Sequence, residues 1–478
     1  MSLKQKAVNG IFWTFIHQFS VQGVTFFVSL LLARLILPSE FGLIAMISVF
    51  ISIGNTLINS GMSQSLLRTN SPTEEEYSTI FYFNVLISIL VYIVLFSLSN
   101  SIAHFFNQEK LKLIIRVYCL SFIINAFSSI QIIRLTLNFD FKSQARISIP
   151  SVFFSSIVGL YLAYRGFGVW SLVWSTLTQS FLQNLQYWMI SKWRPILTFN
   201  KTIIIKHWKF GYKLLISGLI DNIFTNAYSI SIGKFFTPAQ VGFYQRADSL
   251  KQFPVSSVSS IIDKVTFPLL SSIQEDDVRL KIIYRKIMQV VIFLISPLLI
   301  FSAVLADPII KTLFTEKWLP SVPYFQILCF SGLLYPIHVY NLSILNIKGR
   351  SDLFLKLEIV KTIAIIIFIS VSLYWGIYGL LFSTIVSSIF SLYINCYYTE
   401  RLINYSFNQQ ISDLYPSLFL STLTGIMLIL FNNYFDKYGL NEMGKIILSF
   451  SLGFIIYLGL SLLFKVNALK ELIKLIDK

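Results

Sequence analysis

The chain is short of charge and of cysteine. Charged residues fill 13% of its 478 positions, about half the roughly 25% usual in soluble domains, which excludes an ordinary water-soluble globule. The three cysteines, Cys119, Cys329 and Cys396, lie inside apolar runs, so no disulfide framework is implied. The four histidines, His17, His104, His207 and His338, are far apart and have no metal-ligand spacing. Phosphate-binding glycine loops, dinucleotide fingerprints and nucleophile elbows are missing, so ATP-driven work by this chain alone is not expected. Polar external loops longer than about twenty residues are missing too. That leaves no room for an extramembrane catalytic domain, and the expectation is a non-enzyme with no cofactor and no metal.

What is present is apolar surface. Hydrophobic residues make up 55% of the chain, with 44 Phe and 24 Tyr, and the mean hydropathy is +0.70. The net charge of +16 could suggest nucleic acid. However, Lys and Arg are scattered through short segments between apolar runs, a pattern that fits membrane orientation and not nucleic-acid binding. A span needs about 20 apolar residues to cross a hydrocarbon core of roughly 30 Å. By that rule fourteen spans fall near 11–37, 43–67, 79–99, 113–135, 147–164, 168–191, 211–236, 244–270, 285–305, 322–346, 357–374, 377–399, 414–432 and 446–464. The first follows Lys4 and Lys6 but is too long for a signal-peptide core of about 7–15 residues; it reads as an uncleaved span. With the N-terminus inside, most of the 38 basic residues fall on the cytoplasmic side. That side includes the dense run Lys192, Arg194, Lys201, Lys206, Lys209 and Lys213. Both termini are therefore expected in the cytoplasm.

The sequence also repeats itself. Arg34-Leu35-Ile36-Leu37-Pro38-Ser39-Glu40-Phe41-Gly42 returns as Lys234-Phe235-Phe236-Thr237-Pro238-Ala239-Gln240-Val241-Gly242. Each copy closes one apolar run and opens the next. Weaker echoes pair Leu137-Asn138-Phe139 with Leu345-Asn346-Ile347, and Tyr164-Arg165-Gly166 with Tyr374-Trp375-Gly376. Two fused halves in a hydrophobic chain point to a transporter, and six-span halves make parallel repeats. The expected division is 1–209 (spans 1–6), 210–405 (spans 7–12), and 406–478 (spans 13 and 14 with an amphipathic cytoplasmic tail). The tail places Leu469, Leu472, Ile473 and Ile476 apart from Lys470, Lys474 and Lys478 at helical spacing, as in a segment lying on the inner membrane surface. A tight glycine turn is expected at Gly166 to Gly168.

Ionisable groups inside spans are costly and tend to face a bundle interior or wet cavity. Arg34, Arg246 and Lys251 are the candidate cations, with Asn55 and Asn125 as polar companions. Lys251 lies about two turns into its span, with Asp248 three residues before it on one helical face. Asp221 lies near mid-depth of the seventh span beside Asn222 and Asn226; a carboxylate there suits protonation or cation binding. The plainer alternatives are snorkelling for Arg34, a structural Asp248–Lys251 pair, and packing or interhelical bonding for Asp221 and the asparagines. Glu74-Glu75-Glu76 and Glu275-Asp276-Asp277 read as solvated loop acids. The first six spans hold almost no carboxylate while basic groups recur, which suits an anionic cargo such as a phosphate.

Leu32-Ala33-Arg34-Leu35-Ile36-Leu37-Pro38-Ser39-Glu40-Phe41-Gly42 resembles the first-loop signature of Wzx-type polysaccharide flippases of the multidrug/oligosaccharidyl-lipid/polysaccharide (MOP) superfamily. The similarity is to the branch typified by the colanic acid exporter. It continues through Ser60-Gly61-Met62-Ser63-Gln64, Asn138-Phe139-Asp140-Phe141-Lys142, Gly166-Phe167-Gly168-Val169-Trp170-Ser171-Leu172 and Trp193-Arg194-Pro195. In the second half it runs through Gly242-Phe243-Tyr244-Gln245-Arg246-Ala247, Phe267-Pro268, Glu316-Lys317-Trp318 and Lys348-Gly349-Arg350-Ser351-Asp352. Beyond about residue 400 it rests on hydrophobicity alone.

The resemblance implies two six-helix lobes in a V with two C-terminal helices, in a bacterial inner membrane. It implies a cargo of undecaprenyl-pyrophosphate-linked oligosaccharide repeat units, flipped from the cytoplasmic to the periplasmic leaflet by alternating access, commonly coupled to H+ or Na+. Arg34, Arg246 and Lys251, with Asn55 and Asn125, would then hold pyrophosphate and sugars, and Asp221 and Asp248 would couple the ion. Membrane lipids are partners, and a polysaccharide polymerase and chain-length regulator are candidates. The rivals are a drug exporter of the same superfamily, a polysaccharide polymerase or glycosyltransferase, and a lipid scramblase. The first would favour carboxylates in the N-terminal half, and the second a substantial periplasmic loop or acids beside a span; neither pattern is seen.

Overall fold

The computed structural model describes residues 3–59, 61–69, 71–437 and 439–476. The side chains of 3–12, 260–265, 267, 268, 351, 436 and 474–476 lie outside that description. The motif residues Ser60, Phe267, Pro268 and Ser351, the flanking Lys4 and Lys6, and the tail's Lys474, Ile476 and Lys478 therefore fall beyond what is described of side chains. Among the described residues every element is helical, with no strand. The chain divides into two compact units, Met1–Gly242 and Phe243–Lys478.

The first unit contains α1 (Leu3–Leu35), α2 (Pro38–Asn59), α3 (Met62–Arg68), α4 (Glu74–Phe105), α5 (Lys110–Tyr118), α6 (Leu120–Ala126), α7 (Ser129–Leu137), α8 (Phe141–Tyr164), α9 (Val169–Ile190), α10 (Lys201–Phe235) and the start of α11 (Pro238–Ser271). The repeated turn behaves alike in both copies. Ile36 N–H donates to Leu32 O at 2.8 Å and Phe236 N–H to Ile232 O at 2.9 Å. A proline then opens the next helix, Pro38 in α2 and Pro238 in α11; proline suits that position because its absent N–H would find no intrahelical partner there. The packing boundary falls after Gly242, with α10 packed on α2, α3 and α4, whereas the division expected from the sequence lies near residue 209.

The other echoes are structural as well, with one change of register. Phe139 (φ +57°) and Gly349 (φ +68°) take equivalent left-handed positions. Asp140 N–H donates to Leu135 O, and Arg350 N–H to Leu345 O. Leu135 thus corresponds to Leu345, two residues from the pairing suggested by the Leu-Asn echo. Gly166 (φ +82°) and Gly168 (φ +54°) form the tight α8–α9 turn. A Cβ on Gly168 would stand 2.1 Å from a carboxylate oxygen of Glu40, so this glycine is needed for space as well as conformation.

The fourth expected span, 113–135, is broken. Lys110–Ala126 and Ser129–Leu137 meet at a 43° bend. Ser128 and Ser129 hydroxyls donate back to the carbonyls of Asn125 and Ala126, and Trp188 Nε1 donates to the freed Phe127 carbonyl at 2.9 Å. Serines bonding back to carbonyls bend helices, and irregular backbone at membrane depth persists where protein groups satisfy it.

The second unit contains α12 (Asp277–Val304), α13 (Ala306–Phe314), α14 (Val322–Ile347), α15 (Ser351–Ser372), α16 (Gly376–Ile403), α17 (Phe407–Lys437), α18 (Glu442–Leu463) and α19 (Asn467–Ile476), with most of α11. Its centre is α12, packed on α14, α17, α18 and α19. Polar rivets tie α12 to its neighbours, Ser296 to Ser421 at 2.7 Å and Tyr457 OH donating to Phe293 O at 3.1 Å, and a two-way amide pair joins Asn341 of α14 to Gln410 of α17. Such bonds are favoured where hydrocarbon offers no alternative partner. The amphipathic tail docks on α12, burying Ala468 and Leu469 and pairing Glu471 with Lys286 at 3.0 Å.

Among the described residues nine helical segments are long and apolar enough to span a membrane, or ten with the bent pair, against fourteen expected. Asp352–Ile403 counts once but holds both α15 and α16. The segments α9, α10 and α11 fall short because serine, threonine, glutamine and charged residues dilute them.

Candidate transport-site residues

In the first unit the candidates do not form one cluster. Arg34 lies exposed in the last turn of α1, where a cation is favoured by the helix dipole. Asn55 is exposed on α2 and Asn125 on α6. Asp221 is exposed on α10, and its carbonyl accepts from Thr225. The contact made at that level belongs to its neighbour: Asn222 Nδ2 donates to Thr56 Oγ1 at 2.7 Å. Thr56 is one residue from Asn55, and a Cβ on Gly218 would meet its methyl at 3.0 Å. The α2–α10 seam thus presents Asn55 and Asp221 on either side of a satisfied Asn222–Thr56 bond.

The seam borders an apolar pocket of about 390 Å³ lined by Phe50, Leu57, Leu90, Val94, Trp208 and Leu215 among others. At the start of α4, Glu76 closes a capping box with Thr73 and accepts from Lys206 at 2.6 Å. His207 Nδ1 lies 2.8 Å from Ser65 Oγ, and burial holds its imidazole below the ordinary range. Glu74 accepts from both Arg134 and Trp193, at 2.7 and 2.6 Å. The acidic triplet thus sits in the first turn of α4, where Glu74 and Glu75 remain exposed while bonding Arg134, Trp193 and Asn200, and only Glu76 is buried.

In the second unit two of the candidates on α11 pair with each other. Lys251 Nζ lies 2.5 Å from Asp248 Oδ1, with the lysine side chain 13% exposed and the aspartate 33%. The lysine stem runs so close to α14 that a Cβ on Gly332 would stand 2.9 Å from its Cγ. Arg246 lies half-buried over Phe314 and Trp318, 5.3 and 5.5 Å from the ring centroids, a cation–π arrangement suited to a poorly hydrated guanidinium. Asp248 is thus first of all the counter-charge of Lys251, as in the plainer sequence alternative.

One pair escaped sequence reasoning. Lys361 is 5% exposed and lies 2.5 Å from Glu358, near the middle of α15, and His338 of α14 has both ring nitrogens buried. The detectable signal was a Glu and Lys three apart within an apolar run, an i,i+3 pair on one face. No group of three or more metal-ligating side chains occurs among the described residues.

These features define an all-helical, multi-pass membrane protein built on a duplicated set of helices. Residues 31–323 match the family described as polysaccharide biosynthesis protein, and the chain belongs to that family, in keeping with its Wzx-type, MOP-superfamily motifs. It is 25% identical over 435 residues to the lipopolysaccharide biosynthesis protein WzxC of Escherichia coli (strain K12), covering 89% of this chain and 87% of that one. It is also 25% identical to the teichuronic acid biosynthesis protein TuaB of Bacillus subtilis (strain 168), covering 74% and 73%. The succinoglycan biosynthesis transport protein ExoT of Rhizobium meliloti (strain 1021) is 21% identical over 69% of this chain and 67% of its own length. Among solved structures, the lipid II flippase MurJ in an inward closed conformation matches with a TM-score of 0.74 at 14% identity, covering 95% of this chain and 98% of that one. An inward-facing multidrug resistance MATE family transporter of the MOP superfamily matches with a TM-score of 0.60 at 15% identity, over 80% and 95%. At such identities the likeness is one of fold.

Proposed function

We propose that this protein flips an undecaprenyl-pyrophosphate-linked oligosaccharide repeat unit from the cytoplasmic to the periplasmic leaflet of a bacterial inner membrane. It does so by alternating access coupled to an H+ or Na+ gradient, for surface polysaccharide assembly. The observation that carries this reading is a conjunction. Membership of a polysaccharide biosynthesis family occurs on a fold that matches a lipid flippase over 95% of the chain. Arg246 and Lys251 would hold the pyrophosphate with Arg34, while Asn55 and Asn125 would contact sugar. Asp221 and Asp248 would carry the coupling ion. The lipid tail would remain in the bilayer, both termini would be cytoplasmic, and a polymerase with its chain-length regulator would take up the product.

The deciding experiment is the lipid-linked glycan profile of a strain lacking the gene. Complete undecaprenyl-linked repeat units accumulating inside, with surface polysaccharide lost, are expected. Incomplete units would indicate a glycosyltransferase or polymerase instead. An unchanged profile would point to export of an organic cation.

A further inference from the structure

A cavity of about 380 Å³ lies in the second unit where α12, α17 and the α18–α19 turn meet. Because α17 and α18 are consecutive and packed together, the start of one lies beside the end of the other. At that end Ser412, Lys465 and Asn467 line the cavity. Deeper in, about two turns along α17, Phe419 stacks on Tyr415 with ring centroids 5.6 Å apart, and both rings stay exposed. Gln289 of α12 also lines the cavity, one turn beyond Arg285, the partner of Asp413. It is only 7% exposed, and its amide has no hydrogen-bond partner among the described residues. A buried amide left unpaired is costly unless an occupant of the cavity bonds it.

The polar end carries surplus positive charge. Asp413 lines the cavity, but Arg285 pairs with one of its oxygens and Tyr405 OH donates to the other at 2.7 Å. Lys465 is exposed and has no carboxylate partner among the described residues. It holds the left-handed position after α18 (φ +51°) that usually falls to glycine. The first bond of α19 runs from Lys470 N–H to Val466 O, so the N–H groups of 467–469 precede the helical ladder. Val466 has no polar side chain to cap them. A cation and a helix start thus share one end of the cavity, where an anion is favoured.

We infer that this cavity holds one anionic phospholipid of the surrounding bilayer. Its phosphate lies at Lys465 and the first turn of α19, an ester carbonyl accepts from the Gln289 amide, and one acyl chain runs along Tyr415 and Phe419. A free phosphate would leave the apolar wall and the deeper amide unused. A zwitterionic lipid is the poorer occupant, because its ammonium would need a free carboxylate and Asp413 is already taken. The lipid ties the tail to α12 and α17, a joint otherwise made by Ala468, Leu469 and the Glu471–Lys286 pair. The inference does not depend on the cargo proposed above. On the proposed orientation the site faces the inner leaflet, whose anionic lipids attract basic groups at span ends.

The test uses the purified, delipidated full-length chain in a non-ionic detergent. Native mass spectrometry counts bound lipid during titration with dioleoyl phosphatidylglycerol or dioleoyl phosphatidylcholine. One phosphatidylglycerol should be retained at least about fivefold more tightly than phosphatidylcholine, and Lys465→Glu should remove that preference. Gln289→Leu should weaken phosphatidylglycerol about two- to tenfold, the equivalent of one hydrogen bond. Phosphatidylglycerol should also raise the melting temperature of the natural protein, and raise that of either variant less. Without lipid, Gln289→Leu should melt at least as high as the natural protein, since it removes an unpaired amide, so its weaker lipid response does not come from misfolding. Glycerol phosphate, which has no acyl chain, should neither bind nor shift melting at the same concentrations. Equal binding of the two lipids, phosphatidylglycerol binding unchanged in both variants, or glycerol phosphate binding as tightly as the lipid would overturn the assignment. So would a lower melting temperature for lipid-free Gln289→Leu, which would mean that the amide has an internal partner.

Discussion

A Cβ placed on Gly42 would stand 1.7 Å from the backbone carbonyl oxygen of Pro238, and one on Gly242 would stand 2.1 Å from that of Pro38. The two copies of the repeated turn are therefore packed reciprocally, glycine of one on proline of the other, within the first compact unit. Backbone cannot give way as a side-chain end can. Gly42→Ala and Gly242→Ala should each destabilise the purified protein by about 1–3 kcal/mol or prevent accumulation. Gly23, mid-way along α1 with nothing within 4 Å of its would-be Cβ, is the control; Gly23→Ala should be neutral or slightly stabilising. Thermal melts of the detergent-purified variants give the comparison, and equal melting of all three would mean that the turns do not touch.

The bend in the fourth span makes a second prediction. Trp188→Phe keeps an aromatic side chain but removes the indole donor to the Phe127 carbonyl. Losing this exposed bond should cost about 0.5–1.5 kcal/mol, since the Gln131 amide, turned to face it, can also donate to Phe127 O at 3.1 Å. Trp188 is partly exposed, so the low end is expected if water reaches the site. Thermal melting would read the loss, and a variant as stable as the natural protein would show that another donor serves the carbonyl.

How much was legible follows from where each signal lives. The Pro-x-x-x-Gly repeat was readable because proline at a helix start and glycine at a close approach are local requirements, both written within nine residues. That Gly42 rests on Pro238 was not, because the partner is some two hundred positions away. The bend at Ser128 was invisible to a hydropathy window, which averages over two serines flanked by apolar residues. Glu74 and Glu76 read as loop acids because their partners, Arg134, Trp193 and Lys206, are brought in only by tertiary packing. The i,i+3 pairs Asp248–Lys251 and Glu358–Lys361 carry the same local signal, yet only the first was noticed. The second lay one and four residues from where the expected span began, and its burial comes from tertiary packing of α15.

The Asp248–Lys251 pair gives a third prediction. With Lys251 only 13% exposed, removing one partner leaves a poorly solvated charge, whereas removing both leaves none. Asp248→Asn and Lys251→Met should each lower the amount of folded protein more than the double variant does, with coupling between the sites of about 0.5–3 kcal/mol. Export separates structure from function. Under the proposed role for Lys251, the double variant recovers folding but not surface polysaccharide. If export returns with folding, Lys251 is a structural lysine.

Asp221 and Arg246 permit a last, paired prediction. Asp221 is exposed on α10 and its neighbour Asn222 makes the helix contact, so Asp221→Asn should leave melting within about 0.5 kcal/mol of the natural protein. Any loss of gradient-dependent export in that variant would then report an ion-coupling role free of a folding artefact. Arg246 differs because its guanidinium covers Phe314 and Trp318. Arg246→Lys keeps the charge but gives up the planar stack, which should cost about 0.5–2 kcal/mol of stability. Arg246→Glu should abolish export while protein still reaches the membrane, if the cation holds a phosphate. Export and membrane abundance, measured side by side, separate these cases. Full export by Arg246→Glu at normal abundance would remove Arg246 from the substrate path and leave it a packing role against the two rings.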